Sequence, residues 1–495
     1  MNSSLKIYNT LSRKKVLFEP LHAPHVGIYV CGPTVYSDVH LGNCRTFTTF
    51  DVVVRYLRYL GYQVRYLRNI TDVGHLVDDV DEGEDKIAKR AKLENLEPME
   101  IVQRYTVGFH KVMQQLNNLP PSIEPTATGH ISEQITLIEQ ILARGYAYVA
   151  NGSVYFDVPA YLKNYPYGEL SGRVVEDLLS STRDLDGQND KKHPADFALW
   201  KLANSAHIMR WPSPWGEGFP GWHIECSAMS TKYLGQVFDI HGGGMDLQFP
   251  HHECEIAQAR GAHEHAPVRY WMHANMLTMN GQKMSKSLGN SILPKELFLG
   301  SHPLLSQPFS PMTLRFAFLQ THYRSTMDLS ADALKAAQIG YKKLMNGLRI
   351  AKRLTEPQSY HAPNDKLIAE LLKTCERVLA GLDDDFNTAV ALAALFDLAK
   401  KLSQFEAGQL SLADLDAASY ARLKTTYIDI TEKVLGLVEE QPKTEGLVSV
   451  LLSDYAAAKS EKNFERVDAL RAIAKSMGLA FKDMKTGITW TYDEA

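Results

Sequence analysis

Long hydrophobic runs are missing from this chain: no stretch approaches ~18 consecutive uncharged apolar residues, so no membrane-spanning helix is expected. Met1 to Lys15 has no apolar core followed by a small-residue cleavage site, so no secretory leader is expected. Cysteine is scarce, with five residues (Cys31, Cys44, Cys226, Cys254 and Cys375) that are odd in number and far apart. This argues against a disulfide framework and for a reducing, cytoplasmic setting. A strong charge of one sign is also lacking. Net charge is −4, so nothing global marks a nucleic-acid partner, and phosphate contacts must come from local patches. There is no internal repeat and no low-complexity tract. What is present is an ordinary globular composition over 495 residues, a length that predicts about two to four domains.

The strongest pattern runs from Val26 to Thr71. Val26–Val30 is β-branched and apolar, and Cys31-Gly32-Pro33 ends it as a strand ends. Phe47, Phe50, Val54, Leu57 and Leu60 then recur at three- and four-residue steps, predicting an amphipathic helix that Gly61 stops. Gln63 to Ile70 alternates into a second strand. Together they predict a βαβ unit that opens a nucleotide-binding α/β domain. Residues from about 98 read as helices, 145–156 as a hairpin, and the polar stretch Ser180–His193 as a mobile loop. A second α/β block spans about Asp196 to Tyr270, and Asn280-Gly281 predicts a tight hairpin. Beyond Ser330, Ala, Leu and Lys dominate to about Glu440, which predicts a helical bundle. Gln441–Gly446 reads as a linker to a small module of two helices and a hairpin around Gly487.

Three constellations carry chemistry. His40-Leu-Gly42-Asn43 lies where the first strand gives way to the helix, whose free N–H groups and dipole suit an anion. Gly42 permits close approach of a phosphate or adenine ring, and His40 and Asn43 can donate to phosphate oxygens; the bland alternative is helix capping. Lys283-Met-Ser285-Lys286-Ser follows the predicted hairpin, and its two lysines suit a triphosphate in which charge shifts during reaction. The third is a set of metal-ligand types: Cys31, Cys226, and the run His251-His252-Glu253-Cys254-Glu255 opening a helix after Pro250. His251 and Glu255 are four apart and share a helix face. Two thiolates, one imidazole and one carboxylate suffice for four-coordinate zinc, with His252 and Cys254 as rivals by type that point about 100° away from their neighbours.

The order of the His40 and Lys283–Ser287 segments matches the two signatures of class I aminoacyl-tRNA synthetases. With Pro220-Gly-Trp-His-Ile-Glu-Cys226, Asp239-Ile-His-Gly-Gly-Gly-Met-Asp246 and Asp383-Asp-Asp-Phe-Asn-Thr388, the chain resembles cysteinyl-tRNA synthetases over essentially its whole length. The resemblance implies an α/β fold: a Rossmann-like class I catalytic domain carrying an insertion, then a helical bundle and a small α+β C-terminal module. The expected segments are 1–110 and 196–275 for the catalytic halves, 111–195 for the insertion and 276–330 for the stem-contact region. They continue with 331–440 for the anticodon-binding bundle and 441–495 for the terminal recognition module.

The resemblance also implies Zn2+ on Cys31, Cys226, His251 and Glu255, one ion per chain, with Cys31, Thr71, Trp222 and His241 around bound L-cysteine. ATP, with Mg2+, would meet His40, Gly42, Asn43, Asp246, Lys283, Ser285 and Lys286, of which His40, Lys283 and Lys286 are the catalytic candidates. The implied partners are ATP, L-cysteine and tRNA(Cys), for a cytoplasmic monomer with no membrane contact. The rival expectation is a paralogous cysteine ligase that acts on an amino sugar; the presence of Gln441–Ala495 favours tRNA. Two departures stand out: Asn43 where the class has His, and Phe219 where many relatives carry Arg. The acidic stretch 78–85 is expected to be a solvated loop, since Val80 and Lys89 exclude an EF-hand.

Overall fold

The computed structural model describes residues 4–74, 85–173, 190–204, 207–284, 288–440, 446–484 and 487–492. The expected mobile loop around 180–189, the acidic residues 78–84, the linker 441–445, and Ser285, Lys286 and Ser287 lie outside them. The chain divides into two compact units, Met1–Val438 and Glu439–Ala495.

The first unit is organised by a parallel sheet. Strand β1 (His25–Val30), helix α1 (Leu41–Tyr59) and β2 (Gln63–Arg68) form the expected βαβ unit. Phe47, Phe50, Val54 and Leu57 are buried on α1, and Gly61, at φ 91°, follows its C-cap as a left-handed stop. Helix α2 (Ile224–Leu234), β3 (Phe238–Gly244), helix α3 (His251–His263) and β4 (Val268–Ala274) complete the layer. The strand order is β4-β3-β1-β2, all parallel, so the chain runs to opposite sides of the sheet from the β1/β3 pair. Ligands of open α/β sheets bind at the carboxyl ends of strands at such a switch point. Gly242 lets α1 lie close there: a Cβ on it would sit 2.1 Å from the Phe50 ring.

The insertion carries its own antiparallel sheet, Ala147–Ala150, Ser153–Phe156, Phe197–Leu202 and Gly218–Pro220. This sheet runs past residue 196, so Phe197–Pro220 pairs with the insertion and only from α2 onward does the chain return to the parallel sheet. Strand β5 (Leu277–Met279) pairs antiparallel with β6 (Gln282–Lys283) through Asn280 and Gly281, both at positive φ, and in parallel with β7 (Met327–Leu329). Four amphipathic helices follow, Ala331–Arg353, Asp365–Asp383, Thr388–Glu406 and Ala417–Asp429.

The second unit holds two helices, Leu447–Ser460 and Phe464–Ser476, and the hairpin Leu479–Met484 with Gly487–Tyr492. Tyr455, Ala458, Val467 and Leu470 form its small core. Among the described residues, no helix is long and apolar enough to cross a membrane.

Candidate active site and metal centre

At the end of β1, Cys31 donates its backbone N–H to Gly242 of β3 at 3.0 Å, which puts its side chain at the switch point. Helix α2 opens with Glu225 and Cys226, and α3 opens with His251 and His252, so three chain segments converge on one buried spot. Cys31, Cys226, His251 and Glu255 each offer an atom within 4.8 Å of all the others, and so do Cys31, His241, His252 and Glu255.

Distances separate the two sets. Tetrahedral zinc, with sulfurs at about 2.3 Å, places two sulfurs about 3.8 Å apart, and lighter donors at about 2.1 Å lie about 3.4 Å apart. The sulfurs of Cys31 and Cys226 lie 3.8 Å apart, Cys31 Sγ lies 3.8 Å from Glu255 Oε1, and His251 Nε2 lies 3.2 Å from Glu255 Oε1. These three spacings match edges of a zinc-sized tetrahedron, and all four donor atoms lie within 4.8 Å of one another. In the second set His241 Nε2 is hydrogen-bonded to Glu255 Oε2 at 2.8 Å, so it braces the carboxylate from behind. His252 Nε2 sits 3.2 Å from Cys31 Sγ, a hydrogen-bond approach, and its Nδ1 meets His273 Nε2 at 2.8 Å.

Electrostatics fit a cation. Burial pushes the Cys226 thiol up to about 12 and, with Cys226 beside it, drives the Cys31 thiol well above its usual value. Burial and neighbouring imidazoles hold His252 well below the usual histidine range. Uncharged thiols in a dry pocket become ligands when a metal cation compensates the thiolates. The hydrogen-bonded surroundings of the donors belong to such a centre as well. His251 Nδ1 meets His223 Nδ1 at 3.0 Å, and Trp222 lies over the His251 ring with centroids 4.7 Å apart. Cys254 belongs elsewhere: it packs into the insertion core with its Sγ 3.5 Å from the Tyr167 hydroxyl.

Thr71 lines the same region. Its hydroxyl donates to Glu225 Oε1 at 2.5 Å and accepts from Asn69 Nδ2 at 3.1 Å. Asn69 Oδ1 in turn accepts the Gly32 N–H at 2.8 Å. Glu225 is 1% exposed, burial raises its pKa well above the carboxylate range, and its Oε2 has no hydrogen-bond partner among the described residues. Sequence reasoning missed His223, Glu225 and Asn69. All three act through contacts 28 to 154 positions away in the chain or through a backbone turn, and no local spacing announces them.

The residues expected to meet ATP lie on other elements. His40 is the N-cap of α1: its Nδ1 accepts the Asn43 N–H at 3.3 Å, while Asn43 Oδ1 accepts the His40 N–H at 3.4 Å. The departure at Asn43 therefore completes a reciprocal cap. Gly42 faces the His40 ring, since a Cβ there would meet its atoms at 3.1 Å. Lys283 lies exposed on β6, and Asp246 lies exposed in the short helix after β3. Lys295 and Asp38 form an ion pair at 3.0 Å that ties the chain beyond the lysine loop to the turn before His40. Phe219 is 4% exposed, with its ring stacked on His207 at 5.0 Å, so it fills a small core. Asp85 caps the helix Lys86–Glu94, accepting from Ile87 and Ala88, and holds the Gly74 N–H at 2.9 Å.

Two family descriptions match: "tRNA synthetases class I (C) catalytic domain" over residues 17–339 and "DALR domain" over residues 377–439. A protein of Cytophaga hutchinsonii named Cysteine--tRNA ligase is 58% identical, over 99% of this chain and 99% of its own length. The chain belongs to the cysteine–tRNA ligase family. Other relatives with that name come from Bacteroides fragilis, 53% identical over 99% of each chain, and Chlorobaculum tepidum, 46% over 100% of each. Mycobacterium tuberculosis methionyl-tRNA synthetase in complex with methionyl-adenylate superposes with a TM-score of 0.60 at 16% identity, covering 90% of this chain and 96% of that one. The ternary LeuRS–tRNA–LeuAMS complex from Agrobacterium radiobacter K84 gives 0.57 at 13% identity, covering 85% and 86%. These two share the fold, and the cysteine–tRNA ligase sequences carry the kinship.

Proposed function

We infer that the chain is a cysteine–tRNA ligase, which joins L-cysteine to the 3′-terminal adenosine of tRNA(Cys) at the expense of ATP. The observation that carries this reading is the tetrahedron of Cys31, Cys226, His251 and Glu255 inside a chain of this family. A zinc ion held by these residues would supply a Lewis acid that prefers a thiolate to the neutral hydroxyl of serine. The relatives match over 99% of the chain, residues 439–495 included, which speaks for tRNA over the amino-sugar acceptor.

In the first step the cysteine carboxylate attacks the α-phosphate of ATP and pyrophosphate leaves. The chain's own contribution is positioning and electrostatics. Thr71 and Trp222 border the cysteine site, and His241 and His223 hold the donors Glu255 and His251 from behind. The N-terminus of α1 with His40, Gly42 and Asn43 receives phosphate or adenine, Asp246 belongs to the adenosine side, and Lys283, Ser285 and Lys286 meet the pyrophosphate with its Mg2+. In the second step a ribose hydroxyl of the terminal adenosine, the 2′-hydroxyl, attacks the acyl carbon and AMP leaves. The working unit is a cytoplasmic monomer with one zinc.

ATP–pyrophosphate exchange with cysteine and serine side by side tests the reading. Exchange is expected with cysteine alone and without tRNA. No exchange from zinc-loaded protein would reject it.

A further inference from the structure

The loop His322–Ser325 has every backbone carbonyl captured by two residues, one on helix α1 and one just past strand β4. Arg45 of α1 donates to His322 O at 3.2 Å and Ser325 O at 2.6 Å. Asn275, just past β4, donates its N–H to Tyr323 O at 2.8 Å and its amide to Arg324 O at 2.8 Å. The other arm of Arg45 reaches Asn275 O at 3.0 Å and Met276 O at 2.8 Å, the residues that lead into β5. The side chains of the same loop point the other way. Tyr323 OH donates to Asp385 Oδ1 at 2.7 Å, and Arg324 Nε donates to Asp385 Oδ2 at 2.6 Å. Asp385 opens the segment that leads into the bundle helix Thr388–Glu406, within the stretch that matches the DALR description.

Two features set this apart from ordinary core packing. Arg45 is 1% exposed, yet among the described residues its hydrogen-bond partners are four carbonyl oxygens and no carboxylate. Burial lowers its pKa to about 10, which still leaves a full charge at neutral pH. Burying a charge without a counter-ion stabilises poorly, and an apolar side chain would pack at less cost. What such a fork does well is fix several oxygens in one geometry. Second, the loop runs directly into β7, whose partner β5 turns into β6 and Lys283. Met327 N–H also bonds Met276 O at 3.2 Å, so loop and hairpin share their register.

We propose that Arg45 and Asp385 are positioning residues for ATP: clamping loop 322–325 from its two sides, they set the β5–β6 hairpin and Lys283 against the N-terminus of α1. The assignment rests on the cysteine-activating reading given above. Arg45 holds the loop to the ATP end, and Asp385 holds it to the bundle. Loss of either lets Lys283 drift relative to His40 and Asn43 while the metal centre, on β1, α2 and α3, stays in place. A misplacement of about 1 Å in such a constellation costs up to about 100-fold in rate.

The test uses the full-length, zinc-loaded chain with Arg45→Met, Arg45→Lys and Asp385→Asn. Asparagine suits position 385 because the backbone there is left-handed, φ 64°, a region asparagine tolerates. Arg315→Met is the control: Arg315 is equally buried but pairs with Asp51 at 2.5 Å and with Leu435 O, away from the loop. Expected are an ATP KM raised, or kcat/KM for ATP lowered, by about tenfold or more in Arg45→Met and Asp385→Asn, with the cysteine KM unchanged. Arg45→Lys should recover part of the loss. Arg315→Met should lower the melting temperature without separating the two KM values. ATP affinity by calorimetry, without cysteine, is the second readout. If the wild type shows no cysteine-dependent exchange, the activity reading fails and this ATP titration still decides the positioning claim. Folded variants with wild-type ATP affinity and kcat/KM, or the same split in Arg315→Met, would overturn it.

Discussion

His223 and His251 face each other through their Nδ1 atoms at 3.0 Å, so one ring must carry its proton there and the other must accept it. With the proton on His251, its Nε2 keeps a lone pair aimed at Glu255 and the two sulfurs, as a metal ligand requires. His223→Phe keeps a ring between Trp222 and Phe197 but removes the acceptor. Zinc affinity, measured by chelator competition, should fall about 10- to 100-fold. Unchanged affinity would remove His223 from this role.

Cys226→Ser replaces a soft thiolate with a hydroxyl at 3.8 Å from Cys31 Sγ. Zinc content and cysteine-dependent exchange should be lost together. A cobalt-loaded sample should show a weaker thiolate-to-cobalt absorption than the wild type. Normal metal content in the variant would rule out Cys226 as a ligand.

The Thr71 hydroxyl proton is committed to Glu225 and one lone pair of its oxygen to Asn69 Nδ2, which leaves the second lone pair as an acceptor. Glu225→Leu should raise the cysteine KM about fivefold or more and leave the ATP KM alone, while Glu225→Gln, which keeps an acceptor oxygen, should stay near wild type. Equal shifts in both substrates would show a general structural defect instead.

The terminal unit Glu439–Ala495 has its own small core, so its removal should leave residues 1–438 folded. Exchange should survive the deletion and tRNA charging should fall about tenfold or more. Loss of both in proportion would count against a separate tRNA-reading role.

Local periodicity made much of the fold legible. Phe47, Phe50, Val54 and Leu57 announced α1, Gly61 its end, and Asn280-Gly281 the β5–β6 turn, because each is a short-range rule. The insertion sheet was not legible past 196: Phe197–Leu202 pairs with Val154–Phe156 across some 40 residues, and strand partners leave no mark on local composition. At the site, residue types and one helix-face spacing offered the candidates, and the family resemblance singled out Cys31, Cys226, His251 and Glu255 among them. His252 points about 100° away from His251 around α3, yet the cluster is compact enough that its Nε2 still lies 3.2 Å from Cys31 Sγ. Whether a histidine binds a metal or holds its neighbour depends on contacts such as His241–Glu255 that only the folded chain creates.

Gly32 has no side chain, and a Cβ there would lie 1.5 Å from the Asn69 carbonyl oxygen. The segment after Cys31 is thus zipped directly to Asn69–Thr71, with Thr71 N–H on Pro33 O at 3.1 Å and Val35 N–H on Thr71 O at 3.2 Å. That wall beside Cys31 and Thr71 is backbone against backbone, with no rotamers to adjust. Its geometry is thus fixed by the main chain, and no side-chain rotation can widen or narrow it.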